Sequence, residues 1–257
     1  MGGLCRAMAE LVVATATGSQ EEGLARKEGG EEENWEDEVN MGVFYTDAAK
    51  YWEGVPATVE GMLGGFGRHS TLDVNFSRKF LTPLIQGTSA VAAPNRALDC
   101  GSGIGRITKR LLLPLFSSVD MVEQNETFLQ KSATYLGPAG DRVERKIAQG
   151  LQEFTPEKDR YDVIWCQWVL SHLSDDDLVM FLRCCAQALP RGSGVIVVKE
   201  NIAVDDEDNF DENDSSVTRS LASYYRIFSE AGLTIIKQDI QRDWPKELFP
   251  VRLFALR

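Results

Sequence analysis

The stretch "RALDCGSGIGRITKR", residues 96–110, closes a short apolar run with glycines at alternate positions, Gly101, Gly103 and Gly105. Glycine accepts backbone angles that a Cβ resists, and it lets a ligand come close to the main chain. The spacing is G-x-G-x-G, one residue short of the G-x-G-x-x-G that seats a dinucleotide pyrophosphate on a helix N-terminus. Arg106 follows at once with a fixed positive charge suited to a carboxylate. About twenty positions on, Glu123 in "VDMVEQN" offers a carboxylate that can accept from both hydroxyls of a ribose. The chain has two histidines, His69 and His172, and the second stands in "QWVLSHL", just past another apolar run. Residues 200–214 hold eight acids and no base. Such a run attracts a cationic partner, although a solvated loop is its ordinary fate.

These residues need elements to hold them. From residue 96 onward strand and helix patterns alternate. The strands read "RALDC", "SVDMVE", "VERKIAQ", "YDVIWCQW", "GVIVVKE", "LTIIKQD" and "VRLFALR", with helices expected over 105–116, 125–136, 174–189 and 216–231. Ser174 and Asp177 form a capping pair for the third helix, and Gly232 stops the fourth. Alternation of this kind gives a mostly parallel sheet covered on both faces. The connection "QRDWPKELFP" has no room for a crossover helix, so the last strand should run antiparallel to its neighbour. The expected architecture is α/β, with six parallel strands and one reversed. Ligands of open α/β sheets sit beyond the carboxyl ends of the strands. That edge carries the glycine corner, Glu123 with Gln124 and Asn125, Leu151 and Gln152 after the third strand, and Gln167 with Trp168 after the fourth. Asn201 and the acidic run follow the fifth.

Length and composition bound what this arrangement can be. A chain of 257 residues with 43% hydrophobic content can bury one sizeable core plus an appendage. No apolar run approaches the roughly eighteen residues of a bilayer span, and the acid-rich opening argues against a secretory or transit segment. Five scattered cysteines with no C-x-x-C pair point to a reducing compartment and to no structural zinc. Net charge is −12, which disfavours direct nucleic-acid binding. Residues 1–40 carry −7 and residues 200–214 carry −8, leaving +3 for the rest. Three regions are expected: an acidic disordered tail over 1–40, dispensable for catalysis; a helical extension or lid over 41–93; and the α/β domain over 94–257.

The short glycine spacing, the acid after the second strand and the reversed last strand together favour S-adenosylmethionine, which has no pyrophosphate, over NAD. The blocks "ALDCGSGIGRITKRLLLPLF", "LQEFTP", "YDVIWCQWVLSHL", "DSSVTR" and "FALR", with "YWEGVPATVEGMLGGFG" before them, resemble the protein α-N-terminal methyltransferase family over residues 44–257. The resemblance implies a class I S-adenosylmethionine-dependent methyltransferase fold with an N-terminal helical extension. It implies methyl transfer to the free α-amine of proteins beginning X-Pro-Lys or X-Pro-Arg once the initiator Met is gone. It further implies a monomer in nucleus and cytoplasm, since chromatin and ribosomal proteins are the family's usual substrates.

Attack on a methyl needs a neutral amine, and a free α-amine with a pKa of roughly 7.7–8.0 is mostly protonated at neutral pH. A base would help. His172 is the candidate from position, and Asp214 in "DSS" is the second base by resemblance. The flat Trp168 ring suits a proline, Asn201 suits a peptide carbonyl or amine, and Asp211 and Asp214 suit the cationic third residue. Tyr51, Trp52 and Ser216 join the substrate site by resemblance. Phe249 stands where the family commonly has a tyrosine, and Glu123 where aspartate is commoner. Two other functions fit parts of the pattern: methylation of a small molecule in a closed pocket, and non-catalytic recognition of basic N-termini. An oxidoreductase is opposed by the glycine spacing.

Overall fold

The computed structural model describes residues 35–257. Nine strands and seven helices follow in chain order among these residues. The helices are α1 (Trp35–Glu38), α2 (Met41–Glu53), α3 (Val59–Met62), α4 (Ser70–Ile85), α5 (Glu126–Leu136), α6 (Asp175–Ala188) and α7 (Leu221–Glu230). The strands are β1 (Arg96–Cys100), β2 (Ser118–Glu123), β3 (Val143–Ala148), β4 (Val163–Gln167), β5 (Val195–Asn201), β6 (Asn209–Asp211), β7 (Ser216–Thr218), β8 (Ile235–Ile240) and β9 (Val251–Leu256). Seven of the strands form one sheet in the order β3-β2-β1-β4-β5-β9-β8. β9 runs antiparallel to both β5 and β8, and the other pairs are parallel. The expected reversed strand is there, between two neighbours it opposes.

Side chains alternate across each strand, and the two faces make two cores. Leu98, Ile164, Ile196, Val198 and Phe254 pack with α6 and α7 on one face. Ala97, Val119, Met121, Val163, Trp165 and Val197 pack with α4, α5 and residues 107–116 on the other. Ser174 caps α6, its side chain accepting from Asp177 N, and Gly232 follows α7 at φ 74.

Three expectations need correction. The helix expected over 216–231 begins at Leu221, because Ser216–Thr218 pairs with Asn209–Asp211 as a hairpin. Val217, with Phe210 beside it, packs on Trp35 and Phe44, and Ser220 then caps α7. The stretch after the glycine corner is widened into a π-helical turn over Thr108–Leu112, with Thr108 N and Oγ1 both donating to Asp99 Oδ2 at 2.9 and 2.5 Å. The last part of the acidic tail expected over 1–40 is ordered: Trp35–Glu38 is a helix with Trp35 buried against Phe44 and Phe210 at ring distances of 5.5 and 5.9 Å. Residues 1–34 of that tail lie outside the described residues. Among the described residues no helix is long and apolar enough to cross a membrane.

Candidate active site

The glycine corner turns with Gly101, Gly103 and Gly105 at φ 64, 55 and 88, a region that L side chains resist. A Cβ on Gly101 would lie 2.4 Å from Val169, and one on Gly103 would lie 2.6 Å from Met62 Sδ. Bare backbone therefore lets the loop after β4 and the end of α3 close onto the corner. Glu123 locks the geometry from β2: its two oxygens accept from Gly103 N and Asn125 N, each at 2.9 Å.

A cleft of about 920 Å³, open mouth included, runs along this edge, within the range of small-molecule sites. Gly101, Gly103, Arg106, Glu123, Gln124, Leu151, Gln152 and Gln167 all line it, as do Trp52, Trp168 and His172. Asn125 does not. It caps α5 through its Oδ1 and donates from Nδ2 to Trp52 O at 3.3 Å, tying the extension to the corner. Strand order lays the lining out laterally, with Leu151 and Gln152 beyond β3, Glu123 beyond β2, and Arg106 and Gln167 beyond β1 and β4.

A second, apolar hollow shares Trp52, Met62 and Trp168 with the first and continues over Leu63, Phe66, Trp244 and Leu248. Asn201 and Asp73 add its polar groups, with His69 beside them. Trp168 divides the two hollows at φ 52, flanked by Arg106 and Lys199 at 5.6 and 5.8 Å from its ring. Phe66, Trp244 and Leu248 carry no site signal in the sequence, where they are bare aromatic and aliphatic residues, and His69 is the histidine that ranks behind His172 there.

His172 is held at both nitrogens. Nδ1 faces Ser215 O at 3.2 Å, and a carbonyl can only accept, so Nδ1 carries the proton. Nε2 then accepts from Trp52 Nε1 at 3.0 Å. Burial pushes the imidazole down to about 4, partly offset by the Ser215 carbonyl. The ring is a neutral acceptor at physiological pH. Ser215 itself sits at φ 51, and its hydroxyl donates to Phe44 O at 2.9 Å, fastening the hairpin to α2.

Asp214 and Ser216 belong to that hairpin. Asp214 is buried, with Oδ1 accepting from Ser216 Oγ at 2.7 Å and Oδ2 unpartnered. Burial raises its carboxyl to about 6; the Ser216 hydroxyl opposes the rise and Asp211 adds to it. Asp211 closes its own turn, accepting from Asn213 N and Nδ2 at 2.9 and 2.7 Å. Tyr51 packs edge-on against Trp52, 5.4 Å between rings, and lines neither hollow.

The loop that carries Trp168 and His172 is clamped from beneath. Glu200 Oε1 accepts from Val169 N and Leu170 N, each at 2.9 Å, while Arg219 donates to Leu170 O, Leu173 O and Asp175. Both clamp residues are buried and neither was recognised in the sequence. Among the described residues no cluster of His, Cys, Asp and Glu could hold a metal ion.

A seven-stranded sheet with a reversed strand beside β5, and a glycine corner backed by an acid after β2, define a class I S-adenosylmethionine-dependent methyltransferase. The enzyme uses S-adenosylmethionine. Residues 40–257 match the model of the AdoMet-dependent proline di-methyltransferase family, and the chain belongs to that family. It is 50% identical over 214 residues to the N-terminal Xaa-Pro-Lys N-methyltransferase 1 of Danio rerio and to that of Homo sapiens, covering 83% of this chain and 95% of each relative. Among solved structures, a SAM-dependent methyltransferase of Leishmania major superposes with a TM-score of 0.77 at 38% identity, over 83% of both chains.

Proposed function

We propose that this enzyme methylates the free α-amine of proteins beginning Xaa-Pro-Lys or Xaa-Pro-Arg. The observation that carries the reading is Asp214 Oδ2, a buried carboxylate oxygen without a partner; Asp214 lines neither hollow itself, but it sits beside Ser215, whose carbonyl meets His172 on the cleft wall. An ammonium group arriving there would donate to it and neutralise its charge, whereas a neutral donor would do only the first. The names of the 50% identical relatives support the same substrate class.

The cleft suits S-adenosylmethionine. Ser102 Oγ is buried on its wall without a partner, Arg106 supplies a cation for a carboxylate, and Glu123 keeps lone pairs for ribose hydroxyls. Gly101, Gly103, Gln124, Leu151, Gln152 and Gln167 complete the lining, with Asn125 supporting it indirectly. Bound S-adenosylmethionine supplies a methyl made electrophilic by its sulfonium.

The chain's own residues do the rest. Trp168 presents its ring to the proline, and Asn201 serves the peptide backbone. Asp211 attracts the third residue's cation. Asp214 receives the ammonium as an ion pair and takes its proton. His172 becomes a second acceptor once its Nε2 is released by Trp52, and Ser215 O then stabilises the protonated ring. Tyr51 supports Trp52, and Ser216 holds Asp214. The enzyme acts as a monomer in nucleus and cytoplasm, which imaging of a tagged chain and its solution mass would test.

Mass spectrometry of Ser-Pro-Lys and Ser-Pro-Glu peptides, incubated with enzyme and S-adenosylmethionine, tests the specificity. The lysine peptide should gain methyls, and the glutamate peptide should be slower by at least about 30-fold because like charges meet in a partly desolvated groove. Equal turnover of the two would remove the hairpin from recognition.

A further inference from the structure

Asp73 has no exposed surface, and it lies on α4, in the helical extension that precedes the sheet. Its carboxylate gathers donors from three strand ends. Oδ2 accepts from Arg106 Nη1 at 2.6 Å, just after β1, and Oδ1 accepts from Gln167 Nε2 at 2.9 Å, at the end of β4. Oδ1 also accepts from Lys199 Nζ, on β5. Lys199 is itself fully buried, and it donates further to Ser77 Oγ and Gln241 Oε1, each at 2.9 Å. Gln167 is oriented from its other end by Trp165 Nε1 at 3.1 Å.

Two cations and one carboxylate leave this buried cluster with one net positive charge. Burial alone would raise the Asp73 carboxyl, but Arg106 and Lys199 outweigh it and hold it below the usual carboxylate range. Arg106 and Gln167 line the cofactor cleft, whereas Asp73 borders the apolar hollow behind it. A plain structural ion pair would need one donor on each side. Here a single side chain fixes the guanidinium and the amide that border the cleft.

We propose that Asp73 is a positioning residue for cofactor binding: it aims Arg106 and Gln167 at the carboxylate end of the methionine moiety, so that α4 is part of the cofactor site. This rests on the reading that Arg106 takes that carboxylate. Every group facing Asp73 is a donor, so an asparagine there must turn its NH₂ toward one of them and displace it.

The test compares two probes by calorimetry. S-adenosylhomocysteine carries the amino-acid end, while 5′-methylthioadenosine keeps the adenine and ribose and lacks it. Asp73→Asn should weaken S-adenosylhomocysteine by at least about tenfold and change 5′-methylthioadenosine by less than about threefold. A merely structural role would weaken both alike. The double variant Asp73→Asn with Lys199→Met removes the cation left without a partner, keeps one net positive charge, and serves if the single variant does not fold. It should show the same selective loss. Parallel loss for both probes, unchanged affinity, or tighter binding of S-adenosylhomocysteine would each overturn the proposal. Arg106→Ala separates the two levels. If it lacks the selectivity, the reading of Arg106 fails and takes the proposal with it; if it has the selectivity and the Asp73 variants do not, the positioning role alone is overturned.

Discussion

Replacing Asp214 with asparagine removes the charge and keeps the shape, and the consequence can be worked out along the pH axis. The carboxyl stands at about 6 in the folded protein, so at pH 7 about 90% of it is ionised, and at pH 5 about 10%. The peptide amine, with a pKa of roughly 7.7–8.0, is about 90% protonated at pH 7. Productive encounter needs one proton shared between the two groups, so kcat/KM should trace a bell with limbs near 6 and near 8. His172, held at about 4, does not titrate in that window. Asp214→Asn has no carboxylate to accept the proton, and His172 at about 4 is a much weaker base, so the variant relies mainly on the neutral amine, about 10% of the peptide at pH 7. Its kcat/KM should fall by roughly 10²–10⁴-fold at pH 7. The acid limb near 6 should vanish, and the rate should climb about tenfold between pH 7 and 9 instead of falling. A methyl-release assay over pH 5–9 with a Ser-Pro-Lys peptide reads this directly. A bell that survives in Asp214→Asn, with its acid limb still near 6, would refute the assignment.

Ser216→Ala removes the hydroxyl that donates to Asp214 Oδ1. The charged carboxylate loses a stabilising partner, so the acid limb should move to higher pH in the same assay. Gly101→Ala forces a Cβ to within 2.4 Å of the branched Val169 at φ 64. It should cost about 1–3 kcal/mol in denaturant unfolding and weaken cofactor binding, because Val169 neighbours Trp168. Removing residues 1–34 should leave thermal unfolding unchanged, whereas Trp35→Ala should lower the midpoint by several degrees, about 2–4 °C per kcal/mol lost. Equal midpoints for Trp35→Ala and the parent would show that α1 adds nothing to the hairpin.

The sheet was legible because β4 and β5 open on unbroken apolar runs, β1 and β2 are short apolar-rich segments, helix patterns separate them, and "QRDWPKELFP" is too short for a crossover. The corner was legible because its three glycines fall at alternate positions within five consecutive residues. The hairpin was not. Asn209–Asp211 and Ser216–Thr218 are three residues each, and what holds them is Trp35 and Phe44, far away in the chain. The clamp formed by Glu200 and Arg219 was hidden for a similar reason: Glu200 reads as one more acid in an acidic run, and its burial follows from topology. Asp73 did leave a trace, as a carboxylate one turn before Ser77 on the face that also carries Val74, Phe80 and Leu81. A charge on the apolar stripe of a helix implies a buried partner, but the partners' identities come only from the fold. His172 was found by position. Its tautomer and its bond to Trp52 depend on atoms that no spacing rule relates.

The location of β9 has a bearing on how the chain can be made. β5 and β8 do not pair with each other; β9, which is synthesised after both, is the strand that joins them, closing the edge of β5 left open by β4 and giving β8 its sheet neighbour. Until β9 leaves the ribosome, the growing chain therefore carries β5 with an unpaired, apolar flank and β8 with no place in the sheet. Joining them means closing a loop that spans from Val195 to Leu256 before either edge is satisfied, a long-range step of the kind that slows folding. The nascent enzyme passes through a stage in which five adjacent parallel strands are docked and the outer edge of β5 invites pairing with whatever extended chain is near. The same reversed strand that marks the fold also makes completion of the sheet wait for one six-residue segment.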